Sequence, residues 1–154
     1  MVSERIRGLS AAGFGTAELT VTLAIGAVLT AVSAPSLLAS WRAATLRAAA
    51  EEVAAAVNVG RQLAIARNVL VCVAVAGADM RFEGAHAGAC SGVGLPGAAP
   101  VRLASGLAVR AVGAGVVFTG LGAATPAGRY VVVNPADGRT RSVVVAASGR
   151  VSIH

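Results

Sequence analysis

Apolar and polar positions divide the chain into three regimes. From Leu19 to Trp41 no charge interrupts the run, and Arg42 is the first charged residue after it. About 20 apolar residues in a helix cross a hydrocarbon core of roughly 30 Å, so this segment is long enough to span a membrane. Past Arg42 the pattern becomes amphipathic. Leu46, Val53, Val57, Gly60 and Ala64 recur at three or four, Ala49 and Ala56 fill between, and Arg42, Arg47, Glu51, Asn58, Arg61 and Arg67 take the other side. No proline falls between Ser36 and Val69, which predicts one helix from about Thr16 to Asn68 with room for a bend at Pro35. Its second half would lay an apolar stripe on a head domain.

From Val69 the period changes. "VLVCVAVAG" is a continuous strand-forming run and "MRFEG" a shorter one, while residues 84–100 read as loop, with Gly and Pro throughout. "VRLASG", "LAVRAV", "GVVFTG", "RYVVVNP", "TRSVVVAAS" and "RVSIH" follow as strands, separated by turn signals at Gly113-Ala114-Gly115, Pro126 with Gly128, Asp137-Gly138 and Ser148-Gly149. Asp137-Gly138 between two Val-rich runs is a hairpin signal. Strands succeed one another without helices between them, so the expected class is α+β, an antiparallel head over residues 69–154 packed on one helix.

Composition sharpens this. The chain has 154 residues, 56% hydrophobic and 13% charged, and its 13 basic residues are all arginine. A net charge of +6 suits nucleic acid, an anionic lipid surface, or solubility alone. Arg5 and Arg7 precede the apolar run, which predicts a cytoplasmic N-terminus with the remainder exported. In an exported domain Cys72 and Cys90 read as a disulfide worth about 3 kcal/mol; the alternative is two small buried apolar side chains.

The N-terminal segment admits three readings. A secretory signal cut after Ala34 would leave Pro35 beside the cleavage point, a poor place for a residue of fixed φ. A plain single-span anchor explains the length but leaves Glu18 at the edge of the run, where an acid costs free energy unless paired. As a solvated acid, Glu18 would simply favour the positive end of the helix dipole. The third reading comes from "GFGTAE", which resembles the cleavage motif of type IV pilins and type II secretion pseudopilins. That resemblance implies a leader of residues 1–13, cleavage between Gly13 and Phe14, and N-methylation of Phe14. It also implies roles for Glu18 and Pro35 in assembly, within a helix over residues 14–68 whose span covers about 19–41. The new amine on Phe14 would lie four residues from the Glu18 carboxylate, and a buried charge is tolerable only when partnered. The spacing makes pairing possible; the resemblance implies that Glu18 pairs with the amine of a neighbouring copy. Gly26, Thr30 and Ala34, with Ala27 and Ala31, place small residues at the four-residue spacing that lets helices approach closely.

The head resembles one branch of that class, the GspH/FimT group, in Arg67-Asn68 leading to "VLVCV", in a second cysteine at Cys90, in Val116 to Gly120, and in Gly149-Arg150. The resemblance implies a minor pseudopilin of a type II secretion system. Such a subunit is held in the inner membrane with its head in the periplasm and assembles with other pseudopilins or pilins after prepilin peptidase cleavage. The alternative it implies is a FimT-like minor pilin binding DNA during uptake through a C-terminal "GRxR". Here that motif reads "GRVS", with Ser152 in place of the second arginine, and Arg139 and Arg141 are the candidates to join Arg150 on phosphates. Phe118 and Tyr130 are the aromatic residues of this half, too few for a stacking platform.

Catalytic chemistry finds little support. His86 and His154 are the histidines, Glu51 and Glu52 point to different helix faces, and "GAGVVFTG" lacks the lysine of a phosphate loop. No enzyme activity, no cofactor and no metal is expected.

Overall fold

The computed structural model describes residues 15–103 and 106–154. Gly13, Phe14 and the leader expected over residues 1–13 lie outside the described residues. The chain divides into two compact units, Met1–Ser40 and Trp41–His154.

Helix α1 runs Thr16–Arg67, as the periodicity predicts, and contributes to both units. In the first unit its side chains are exposed throughout. In the second, Leu46, Ala49, Ala50, Val53, Ala56, Val57, Gly60 and Ala64 form a buried stripe at the spacing of one helix face. Alanine dominates the stripe, which keeps the helix close to the sheets. At Gly60 even a methyl group would overlap Val73 Cγ2 and press on the Phe82 ring at 3.3 Å.

The helix ends where the motif Arg67-Asn68 stands. Asn68 adopts φ 50°, the Val69 N–H donates to the Ala64 carbonyl at 3.2 Å, and the Asn68 N–H donates to the Ile65 carbonyl at 3.3 Å. These are the two bonds of a Schellman cap, with asparagine supplying the left-handed residue. Arg67 reaches the Pro96 carbonyl at 2.6 Å and ties the helix end to the segment after β3 (Ala89–Gly94).

Among the described residues nine strands follow in two antiparallel sheets. In the first, β3 pairs β2 (Asp79–His86), β2 pairs β1 (Val71–Ala76), and β1 pairs β6 (Val116–Phe118), while β4 (Val101–Arg102) also pairs β2. In the second, the order is β5 (Ala108–Val112), β7 (Gly128–Val133), β8 (Thr140–Val145) and β9 (Val151–Ile153). One apolar core takes side chains from α1 and both sheets, with Val71, Val73, Met80, Phe118, Tyr130, Val132 and Val143 fully buried.

Three sequence expectations change. Residues 84–100 are not all loop: β2 continues to His86, and Ala89–Gly94 forms β3. "ACSGVG" has little strand propensity of its own. Tertiary ties make the strand. The Glu83 carboxylate accepts from the Gly92 N–H at 3.1 Å, the Leu95 N–H donates to the Phe82 carbonyl at 2.8 Å, and Cys90 is joined to Cys72 on β1. Conversely, among the described residues of "VRLASG" only Val101–Arg102 form a strand, β4, whose Arg102 stands 3.4 Å from the Asp79 carboxylate. Among the helix positions, Arg61 does not sit on an open polar face. It is half-buried and its Nε donates to the Gly122 carbonyl at 2.9 Å.

Candidate functional site

The described residues of the first unit, 15–40, run into one helix and are exposed throughout. Leu23, Val28, Leu29, Val32 and Leu37 are each more than 60% exposed, and the best 18-residue window has a mean hydropathy of 1.9. This helix is long and apolar enough to cross a membrane. The hydroxyls from Leu19 to Ser40 are satisfied within it. Thr20, Thr22, Thr30, Ser33, Ser36 and Ser40 each donate to a backbone carbonyl three or four residues back, at 2.8–3.0 Å. Hydroxyls closed in this way ask nothing of the surroundings, which is the requirement for entering hydrocarbon. Pro35 lies inside the helix and has no N–H to offer the carbonyl four residues back.

The Gly15 carbonyl accepts from the Glu18 and Leu19 N–H groups, at 3.0 and 3.1 Å, so Gly15 caps the helix and Glu18 is in its first turn. An acid there complements the exposed N–H groups of the helix end. Glu18 is exposed and is the acidic residue of that turn. Phe14, its expected partner across a subunit contact, is outside the described residues.

The arginines of the head fall into separate groups. Arg139 and Arg141 flank Thr140 at the start of β8 and line a cleft of about 270 Å³ with Ala43 and Leu46 of α1. Asp137 orders this end: its carboxylate accepts from the Arg139 N–H at 3.1 Å and stands 3.7 Å from the Arg139 guanidinium. Arg150 lies at the other end of β8, in the turn where the Ala146 N–H donates to the Arg150 carbonyl at 2.9 Å. Arg141 is therefore about five ladder positions from Arg150, roughly 17 Å at the rise of a strand. The structure brings together two of the three candidate phosphate contacts and holds the third apart. Arg110 and Arg129 form another group, diagonal neighbours on the outer face of the second sheet, since Arg110 pairs with Val131 and Arg129 pairs with Val112. Composition counts both among the arginines of residues 101–154; grouping them takes the strand alternation around buried Val109 and Tyr130. Phe118 and Tyr130 are fully buried and present no face to a base.

The remaining motif residues are explained by packing. Asn68 lies against Gly120, where a side chain would overlap Asn68 Oδ1. Gly149 has φ +78° and rests on the Gly122 carbonyl, which a methyl group would overlap, with Arg61 Nε 3.0 Å from the same point. Cys72 and Cys90 form a disulfide that closes a separation of 18 residues between β1 and β3. Gly115 fits beside it: a Cβ there would stand 3.2 and 3.3 Å from the two sulfurs.

One polar group is deeply buried in the core. Tyr130 Oη, reaching from β7, donates to the Val73 carbonyl at 2.7 Å and accepts from the Val116 N–H at 3.2 Å. Burial raises its pKa above the usual 10.0, and the Val116 hydrogen bond pulls weakly the other way. Both hydrogen bonds are with backbone groups, so the hydroxyl is a structural bridge between the sheets. Among the described residues no group of three or more His, Cys, Asp or Glu lies within reach of one metal ion.

No family model matches the chain, and no curated protein is similar to it at a significant level. Among solved structures, two crystal forms of the type IV minor pilin FimU of Pseudomonas aeruginosa are similar. They are 24% and 22% identical to this chain, each with a TM-score of 0.51. In each case the match covers 71% of this chain, with 87% and 92% of the respective FimU chains. A long N-terminal helix followed by antiparallel sheets, shared with FimU over that length, makes the fold of this chain α+β and type IV pilin-like.

Proposed function

We propose that this chain is a minor subunit of a type IV pilin-like filament, of the GspH/FimT group, that polymerises through the first half of α1. The observation that carries the reading is the apolar helix from Leu19 to Trp41, exposed along its length and entered through a single acid, Glu18. A surface of that size needs a partner, either hydrocarbon or other copies of the same helix. A filament subunit uses both in turn. It waits in the inner membrane with its head outside, then leaves the bilayer for a bundle of like helices.

In this reading a prepilin peptidase cuts after Gly13, Phe14 becomes N-methylated, and its amine meets Glu18 of an adjoining subunit. That pair fixes axial register, because a one-turn slip would strand both charges in an apolar bundle. The role assigned to the filament is that of a type II secretion pseudopilus, which drives folded proteins outward. A second reading, a minor pilin, is favoured by the likeness to FimU; its DNA-binding form would use Arg139, Arg141 and Arg150.

Mass spectrometry of the membrane-extracted protein tests the processing. The expected N-terminus is methylated Phe14. An N-terminus at Met1 would leave a plain anchor, and one at Pro35 a secreted head. Replacing Glu18 with alanine should leave the head folded and abolish incorporation into filaments; unchanged incorporation would remove the charge-pairing role.

A further inference from the structure

The cleft between α1 and the start of β8 stands at an informative place along the chain. Its helical wall, Ala43 and Leu46, begins two residues after Trp41, where the apolar run ends. Tryptophan is the residue type that settles at a membrane–water interface. At 1.5 Å per residue, Ala43 and Leu46 rise roughly 3 and 7.5 Å above Trp41 along the helix. The headgroup layer on each side of a bilayer is about 5–8 Å thick, so the cleft opens within that layer when Trp41 marks the hydrocarbon boundary.

The opposite wall is cationic. Arg139 is exposed, and Arg141 is half-buried beside an apolar floor that includes Leu46, itself 5% exposed. Two guanidiniums above an apolar floor match the chemistry of a lipid headgroup, with a phosphate at one end and acyl carbons at the other. Asp137 offsets part of the charge from one side. Arg110, Arg129 and Arg150 lie elsewhere on the head and do not line this cleft.

We propose that the Arg139–Arg141 cleft binds the phosphate of an anionic phospholipid in the leaflet through which the span emerges, holding the unassembled subunit against its own membrane. The inference rests on the reading of Leu19–Trp41 as a span. Assembly would then require the head to release the lipid, so the cleft sets how readily a subunit leaves the bilayer. Duplex DNA is the competing occupant, and it is less well served: the third arginine is some 17 Å away by the ladder count, and no aromatic side chain lines the cleft.

The test uses the full chain in neutral detergent micelles, with the emission of Trp41, its one tryptophan, as the readout. Dihexanoyl phosphatidylglycerol should give a saturable change, and dihexanoyl phosphatidylcholine should not. Each basic side chain near an anionic lipid surface is worth about fivefold in affinity, so Arg139→Gln with Arg141→Gln should raise half-saturation roughly 30-fold. Arg141→Gln alone should raise it about fivefold, which keeps the test open if the double variant folds poorly. Arg110→Gln with Arg129→Gln matches the charge change on the outer sheet face and should leave half-saturation within twofold. The proposal is overturned if the cleft variants bind as wild type, if the outer-face pair loses as much, or if phosphatidylcholine saturates equally. Inorganic phosphate binding as tightly as the lipid would also overturn it. So would a short duplex DNA that binds more tightly than the lipid through the same two arginines. Carbonate extraction of membranes separates this outcome from the reading beneath it: release of the chain would sink the span, whereas retention without a lipid response sinks only the cleft.

Discussion

Replacing Tyr130 with phenylalanine removes one oxygen from the centre of the head and leaves its volume nearly unchanged. Val73 on β1 and Val116 on β6 are register partners, and the tyrosine hydroxyl stands between them, donating to one and accepting from the other. Both residues are at most 1% exposed, so no water reaches the groups left behind. A buried backbone group without a partner costs about 1–3 kcal/mol. If β1 and β6 draw together and the Val116 N–H meets the Val73 carbonyl directly, part of that is recovered. The expected loss is therefore about 2–4 kcal/mol, a large share of the roughly 5–15 kcal/mol that holds a domain together. Urea unfolding of the unit Trp41–His154 measures it, as a fall in midpoint of about 1–2 M at unchanged slope. A difference under about 0.5 kcal/mol would refute the bridge, since two stranded buried groups cannot cost so little. The same hydroxyl predicts an alkaline limb. Its folded pKa is raised, so its contribution is intact below the unfolded value of about 10 and is lost above it, at about 1.4 kcal/mol per pH unit. Tyr130 is the chain's one tyrosine, so tyrosinate absorbance reports it alone, and the phenylalanine variant should lack that limb.

Three further outcomes follow from close approaches and cross-links in the head. Gly149→Ala combines a left-handed backbone with overlap on the Gly122 carbonyl and should cost about 2–4 kcal/mol in the same urea experiment, leaving Arg150 exposed as before. Gly60→Val drives a branched side chain into Val73 and Phe82 and should prevent the helix from seating on the first sheet, read as loss of cooperative unfolding. Cys72→Ser with Cys90→Ser opens an 18-residue loop and should lower stability by about 3 kcal/mol, matched by the effect of reductant on the wild type.

Most of the architecture was legible because it rests on periodicity. A run without charge, a stripe at three and four, and valine-rich segments between glycine turns specify a helix and strands almost by counting. What escaped depends on meetings between distant residues. β3 exists because Glu83, Phe82 and Cys72 hold a segment with weak strand propensity, and none of those ties is local. The split into two sheets turns on β6 pairing with β1 rather than with β5 or β7, a choice that alternation alone does not make. Arg61 looked like a solvated helix residue until the Gly122 carbonyl arrived from 61 positions away. The candidate site was legible in composition but not in grouping. Arg139, Arg141 and Arg150 are close in sequence, yet a six-residue strand and its turn carry the last of them to the opposite end of the sheet.

That separation bears on how the head motifs should be used. Arg67-Asn68, Val116 to Gly120, and Gly149-Arg150 are far apart in sequence but meet around one corner of the domain. Asn68 caps the helix and packs on Gly120, Gly149 packs on Gly122, and Arg61 holds the Gly122 carbonyl from the helix side. Each glycine is there because a neighbouring backbone or side chain leaves no room for a Cβ. Such residues are constrained by the fold whatever the head binds, so a secretion subunit and a DNA-binding pilin would need them equally. The discriminating positions must be those the packing leaves free: Arg150, whose glycine neighbour is structural while its own side chain is exposed, the Arg110–Arg129 pair on the outer sheet face, and the Arg139–Arg141 cleft. Exchanging these arginines should change the partner and leave the unfolding midpoint where it was. Exchanging the corner glycines should do the reverse, and a corner variant that kept its stability but lost its partner would break this division of labour.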